Sequence, residues 1–228
     1  MYDFKNDYDK WCHYARRLHE RNLVGQDLYC LTQSIIEKKA HREVARTRAS
    51  RTKILEIGGG GGEHIVFEKN IKSHNYVVID IEKDFLNIIK KQFDIITIAA
   101  DGCELPFKAD SFSTIISTSV FEHVTQLEKM LLEIKRILQK GGDLLVIVPT
   151  NGSLIIGVYK LLISYPFMFF NGIKKHNYIW NYLNINSFKR INALLHFHFL
   201  IASKRSIPFA IFPPFLSPLY FYHCRKQL

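Results

Sequence analysis

Five consecutive glycines, Gly58 to Gly62, stand directly after a short apolar run, Lys53–Ile57. Glycine loses more backbone freedom on ordering than any other residue and offers no side chain to pack, so such a run belongs to neither a helix interior nor a strand interior. It reads as a loop that closes a strand. From there on, short apolar runs alternate with amphipathic stretches: Tyr76–Ile79, Ile95–Ala99, Thr114–Ser117 and Asp143–Val148 follow the first strand. Five strands separated by helix-sized segments predict a parallel sheet wound with helices on both faces. Phe85, Ile88 and Ile89 give one intervening helix its apolar face. Leu127, Leu131, Ile134 and Leu138 give the next a stripe, ended by Gly141-Gly142 after Lys140.

In an open α/β sheet a ligand binds at the carboxyl ends of the strands, where the first strand turns into the first helix. Two phosphate-binding loops can be tested against the letters. A dinucleotide fingerprint beginning at Gly58 needs glycine at 63, where Glu63 stands; one beginning at Gly59 needs a small residue at 64, where His64 stands. No Gly-Lys-Ser/Thr follows, which excludes a Walker A loop. The pattern that remains is Glu56-x-Gly58-x-Gly60-x-Gly62.

Further signals fall at the next strand ends. Asp80 closes Val77-Val78-Ile79-Asp80-Ile81, about 20 residues beyond the loop, where a carboxylate can accept both hydroxyls of a ribose. Asp101-Gly102 follows the third strand and leads into Cys103-Glu104-Leu105-Pro106-Phe107. The fourth strand runs through Ser117 into Phe121-Glu122-His123-Val124. Taken singly, Asp80 reads equally as a helix cap and Asp101 as a turn residue.

In this order the motifs resemble the class I S-adenosylmethionine-dependent methyltransferases, in the small-molecule, type 11-like branch that contains ubiquinone-biosynthesis enzymes. The resemblance spans about residues 53–150. It implies a Rossmann-like, doubly wound, mostly parallel seven-stranded sheet with an N-terminal helical lid, and S-adenosyl-L-methionine as cofactor. It also implies cofactor contacts at Glu56, Gly58, Gly60, Gly62, Asp80, Ile81, Asp101, Gly102 and Ser117. Asp80 takes the ribose role and Asp101 the adenine role. One departure is visible: Ser113 stands where the family usually has aspartate, near the amino end of strand four, where little effect on the cofactor is expected. Methyl transfer is an in-line displacement, so the protein supplies alignment and, for an amine or hydroxyl acceptor, a base. His123 is the candidate base; its alternative role, shared with Glu122, is architectural.

The elements of the flanks are read from the residues, and the lid role of the first of them from analogy with the family. Residues 8–48 suit helices broken at Gly25, with Trp11, Tyr14, Ala15 and Leu18 at helical spacing, then Leu28, Leu31, Ile35 and Ile36. By analogy Tyr8, Trp11, Tyr14, His19 and Arg21 are pocket residues of a lid over 1–50; the same spacing also suits core packing. The cofactor-binding core is 51–150. Residues 151–228 complete the sheet with strands at Phe199–Ser203 and Leu219–Cys224, after helices at Leu154–Phe170, interrupted by Pro166, and Ser187–His196.

That last part also carries the charge. Net charge is +10, and residues 151–228 hold nine Lys/Arg, no Asp or Glu, and 17 of the 30 aromatic residues. Such a combination suits an anionic partner, a membrane interface or an aromatic core. Ser153–Ile173 is mostly apolar, but Lys160 and Pro166 lie inside it and Gly172 near its end, so it reads as a buried or interfacial helix rather than a spanning one. Phe209–Leu216 reads either as a segment inserting among lipid headgroups or as a proline-rich connector between two antiparallel strands. The cysteines, Cys12, Cys30, Cys103 and Cys224, lack CxxC or Cys/His metal spacing, and no signal peptide is evident. The expectation is a cytoplasmic methyltransferase, with peripheral contact at the inner membrane face, acting on a small-molecule, glycan or lipid-linked acceptor. The alternatives are an RNA methyltransferase, against which the absence of an Asn/Asp-Pro-Pro-Tyr/Phe motif at Ser117–Val120 counts, and a non-catalytic cofactor-binding scaffold.

Overall fold

A computed structural model describes residues 26–47, 53–69, 71, 74–150, 153–159, 161–162 and 185–227. Its elements run α1 (Gln26–Thr47), β1 (Ile54–Ile57), β2 (Tyr76–Asp80), α2 (Lys83–Gln92), β3 (Ile96–Ala99), β4 (Phe112–Thr118), α3 (Leu127–Ile137), β5 (Leu138–Pro149), α4 (Leu154–Tyr159), α5 (Phe188–His198), β6 (Leu200–Ile207) and β7 (Leu219–Arg225). The seven strands form one sheet in the order β3-β2-β1-β4-β5-β7-β6. The first five are parallel, and β7 is antiparallel to both β5 and β6. The sequence expectation of a doubly wound, mostly parallel seven-stranded sheet is met.

Alternation along the strands sends side chains to two cores. On one face Leu55, Ile57, Ile115 and Leu144 pack against Leu131 and Ile134 of α3 and Ile191 and Leu195 of α5. On the other, Ile54, Val78, Ile116 and Leu145 pack against Ala40 and Val44 of α1 and Leu86 and Ile89 of α2. Helix α1 begins just after Gly25, as predicted. Its buried side chains, Ala40 and Val44, lie on the sheet, an Arg205–Glu43 ion pair at 2.7 Å joins it to β6, and Ile35 is exposed. The pocket residues expected at Tyr8 to Arg21, and the part of the apolar stretch from 163 to 173, lie outside the described residues.

The structure departs from the sequence reading in several places; the strand read at Phe199–Ser203, for one, runs from Leu200 to Ile207. Helix α3 ends at Ile137, so Leu138 opens β5 and Gly141-Gly142 fall inside that strand. Leu138 is extended and pairs with Phe112, and residues 141–142 exchange backbone hydrogen bonds with Lys226. Sheet partners thus take the polar groups that a longer helix would have used. In α2 the buried positions are Phe85, Leu86 and Ile89, so Ile88 belongs to the rim of the apolar face. After the glycine loop the chain makes a single 3-10 turn, Ile65–Phe67, in place of a first helix. β-Branched and aromatic residues there are weak helix formers, and β2 begins soon after. Among the described residues no helix is long and apolar enough to cross a membrane.

Candidate functional site

The parallel topology gathers the carboxyl ends of β1, β2, β3 and β4 on one edge, and the predicted residues meet there. Gly58, Gly60 and Gly62 have φ of 74°, 51° and 94°. A Cβ added at Gly58 would lie 2.3 Å from Cγ2 of Val120, so the loop is folded tightly under the turn that follows β4. The Gly58 N–H donates to Ile79 O at 2.8 Å, bringing the loop beside the end of β2.

Asp80 is the fixed point of this edge. Its Oδ2 accepts from the Gly60 N–H at 3.0 Å and its Oδ1 from the Glu82 N–H at 2.9 Å, so one carboxylate joins the glycine loop to the start of α2. Burial raises its pKa, against the lowering effect of those two backbone donors. Ile81 beside it is 61% exposed and offers an apolar step at the rim. Just past the end of the neighbouring strand β3, Asp101 is exposed, and its Oδ1 accepts from the Cys103 N–H at 2.8 Å. Gly102 faces Met130 of α3, whose Cε a Cβ would meet at 3.0 Å. The segment beyond is clamped from α3: Glu133 accepts from the Leu105 N–H, and Arg136 donates to the carbonyls of Leu105 and Phe107. Hydrogen bonding from Arg136 lowers the Glu133 pKa, so this clamp stays charged down into the acid range.

Not every predicted residue faces the same way. Ser117 is fully buried, its Oγ donating to Ile57 O at 3.4 Å, and so binds β4 to β1. Glu56 is 1% exposed and shares with Ile54 the face of β1 covered by helices α1 and α2. Its Oε2 accepts from the Tyr76 hydroxyl at 2.7 Å, and burial pushes its pKa up to about 7. Ser113 lies at the opposite end of the sheet, donating to Lys53 O at 2.9 Å.

The turn after β4, Phe121–His123, carries the candidate base. The His123 side chain is 32% exposed, with Nε2 3.7 Å from Oε1 of Glu122. Glu122 is buried; its Oε2 has no hydrogen-bond partner, and burial pushes its pKa up to about 8. Asn186, which no sequence motif singled out, pins this turn: Nδ2 donates to Phe121 O at 2.8 Å and to Val124 O at 2.6 Å, and its N–H to Glu122 O. Only its solitary place just before the Ser187 helix cap could have drawn notice.

A carboxyl whose folded pKa is raised holds its proton where the unfolded chain has released it. Stability then falls as pH climbs from the ordinary 4.5 to about 8. Glu122→Gln is expected to flatten this slope and to stabilise the protein by about 2 kcal/mol or more at pH 8. Paired thermal melts of wild type and variant between mildly acidic and mildly alkaline pH read the effect. Equal slopes would show that Glu122 ionises freely in the fold. Glu56 acts in the same direction. His41, depressed to about 4 by burial and then by His64, acts in the opposite one, so the difference between the two proteins isolates Glu122.

Comparison with known proteins bears on what this edge holds. Residues 55–146 match the family described as "Methyltransferase domain". These residues form a class I methyltransferase domain. The methyltransferase domain takes in the glycine loop, Asp80, Asp101 and the β4 turn, and its family is S-adenosylmethionine-dependent. Relatives include the protein MJ1123 of Methanocaldococcus jannaschii, 32% identical over 54% of this chain and 57% of its own length. The ubiquinone/menaquinone biosynthesis C-methyltransferase UbiE of Vibrio parahaemolyticus is 31% identical over 42% of this chain and 40% of its own. The chain thus spans about half the length of these relatives. A solved structure from Thermotoga maritima, described as an S-adenosylmethionine-dependent methyltransferase and possible histamine N-methyltransferase, shares the fold. Its TM-score is 0.60 at 16% identity, covering 99% of this chain and 96% of that one.

Proposed function

We propose that this chain transfers a methyl group from S-adenosyl-L-methionine to a small-molecule acceptor, glycans and lipid-linked intermediates included. The observation that carries the reading is Asp80. One buried carboxylate held against the glycine loop, with lone pairs beyond the two it gives to backbone N–H groups, suits a vicinal diol at the mouth of the loop. When bound, the cofactor supplies the electrophilic methyl on its sulfonium. The chain's residues do the rest. The glycine loop lets the backbone approach the methionine part, Asp80 accepts the ribose hydroxyls, and Asp101, with Gly102, reads the adenine amine. Ile81 offers its apolar side chain, and Ser117 and Glu56 brace the strand beneath. His123, exposed enough to reach an acceptor, removes its proton where the acceptor is an amine or hydroxyl.

Support for a small acceptor comes from the relative described as a quinone-biosynthesis C-methyltransferase. The lid role of residues 1–50, and a cytoplasmic site of action, belong to the same proposal. Incubation of the full chain with methyl-labelled cofactor and fractionated cell extract tests it. Label is expected in a small-molecule, glycan or lipid fraction. Label confined to RNA would replace the acceptor class, and tight cofactor binding with no labelled product in any fraction would favour a scaffold.

A further inference from the structure

The connector between β6 and β7 shares the edge of the sheet that carries the glycine loop, because β5 is parallel to β1 and β4 and the connector meets its end. Its backbone is firmly tied. The Thr150 N–H donates to Pro218 O at 2.9 Å, the Leu154 N–H to Phe215 O at 2.6 Å, and the Tyr220 hydroxyl to Phe212 O at 2.7 Å. A loop held this well could turn its apolar side chains inward. It does the reverse: Ile211 is 91% exposed, Phe215 61% and Phe209 56%. Next to it, along α4 and the residues just after, Leu154, Leu161 and Leu162 are 61%, 64% and 67% exposed. Single exposed apolar residues are ordinary, but a run of large ones on adjoining segments marks an interaction surface.

The segment that builds this surface is basic: residues 151–228 contain nine Lys/Arg and no carboxylate side chain, although Arg205 pairs with Glu43, and Arg225 and Lys226 pair with Asp143 and Asp110 at the other end of the sheet. Lys39 of α1 reaches the connector, its Nζ donating to Pro208 O and lying 5.7 Å over the Phe209 ring. Lys189 and Arg190 open α5, whose amino end is joined to the β4 turn on the same edge. Protruding aliphatic and aromatic side chains backed by cations match an anionic bilayer, whose headgroups meet the cations while the apolar tips enter the acyl boundary.

We propose that the β6–β7 connector and α4 dock this protein on an anionic lipid bilayer, with the sheet edge that carries the glycine loop turned toward the lipid. The docking does not depend on the methyl-transfer reading, and cofactor binding in solution, measured in parallel, keeps the two failures apart.

The test is flotation of the full chain with vesicles of phosphatidylcholine alone or with about one-third phosphatidylglycerol. Wild type is expected to float with the anionic vesicles, at least about fivefold less with the neutral ones, and less as salt rises. The double variant Ile211→Asp/Phe215→Asp is expected to lose flotation with an unchanged melting temperature, since both side chains are exposed. Absence of flotation by wild type, or undiminished flotation of the double variant, would overturn the proposal. So would a wild-type dimer in solution that the double variant dissociates without any lipid binding, since the surface would then serve a second copy of the chain.

Discussion

Asp80→Ala is expected to weaken S-adenosylmethionine binding by at least about 100-fold while the protein stays folded. A hydrogen bond to a charged group contributes about 1.5–3 kcal/mol, and a carboxylate facing a ribose diol makes two, so their joint loss lies in the range of two to four decades of affinity. The same carboxylate also fastens the Gly60 N–H, so the loop itself loosens. Asp80→Asn separates the contributions. It preserves size and one acceptor oxygen but loses the charge, and is expected to fall between wild type and alanine. Titration calorimetry on all three proteins, with melting temperatures alongside, is the measurement. An affinity unchanged in Asp80→Ala would remove both the ribose role and the main support for the proposed function. Because burial raises the Asp80 pKa, affinity should also decline on the acid side as the carboxyl takes up its proton and loses acceptor strength.

Gly58→Ala is expected to destabilise the fold by about 2–4 kcal/mol. Two costs combine. At φ 74° an L side chain meets its own backbone, and the new Cβ would stand 2.3 Å from Val120 Cγ2. Adding Val120→Ala removes the clash but not the strain, so the double variant should recover part of the stability and no more. Full recovery would mean the backbone tolerates alanine there, and no recovery would place the clash elsewhere. Denaturant unfolding of the wild type, Gly58→Ala and the double variant distinguishes these outcomes. A shifted Gly58 also displaces the loop from Asp80, so cofactor affinity should fall even in the double variant.

How far the fold was legible follows from which forces act locally. The strands were readable because strands buried on both faces are dominated by apolar and β-branched residues; Ile54–Ile57 and Phe112–Thr118 are buried along almost their whole length, and the buried Glu56, Ser113 and Ser117 within them find partners in Tyr76, Lys53 and Ile57. The glycine run was readable because only a loop can use it. The early end of α3 was not, because Lys135 to Lys140 suits a helix equally well and the deciding partners, Phe112 and Lys226, are remote in sequence. Within the site, Asp80 was legible through its spacing from the loop, and the structure joins it to Gly60 directly. The inward side of Glu56 was not, since its partner Tyr76 belongs to the neighbouring strand. Asn186 escaped for the same reason: it acts on a turn more than sixty residues away, and a single polar residue carries no period.

The strand order has one more consequence. An open sheet ends in two strands with unpaired backbone groups, and each is a template on which another chain can grow. Here β3 is only four residues long, while β6 carries Lys204 and Arg205 in mid-strand and a register irregularity between Ile201 and Ser203. Brevity guards one side, and charge with a local twist guards the other. A protein this rich in aromatic and aliphatic residues is thereby protected against filament growth by strand addition, and it can present its apolar connector without its sheet recruiting copies of itself.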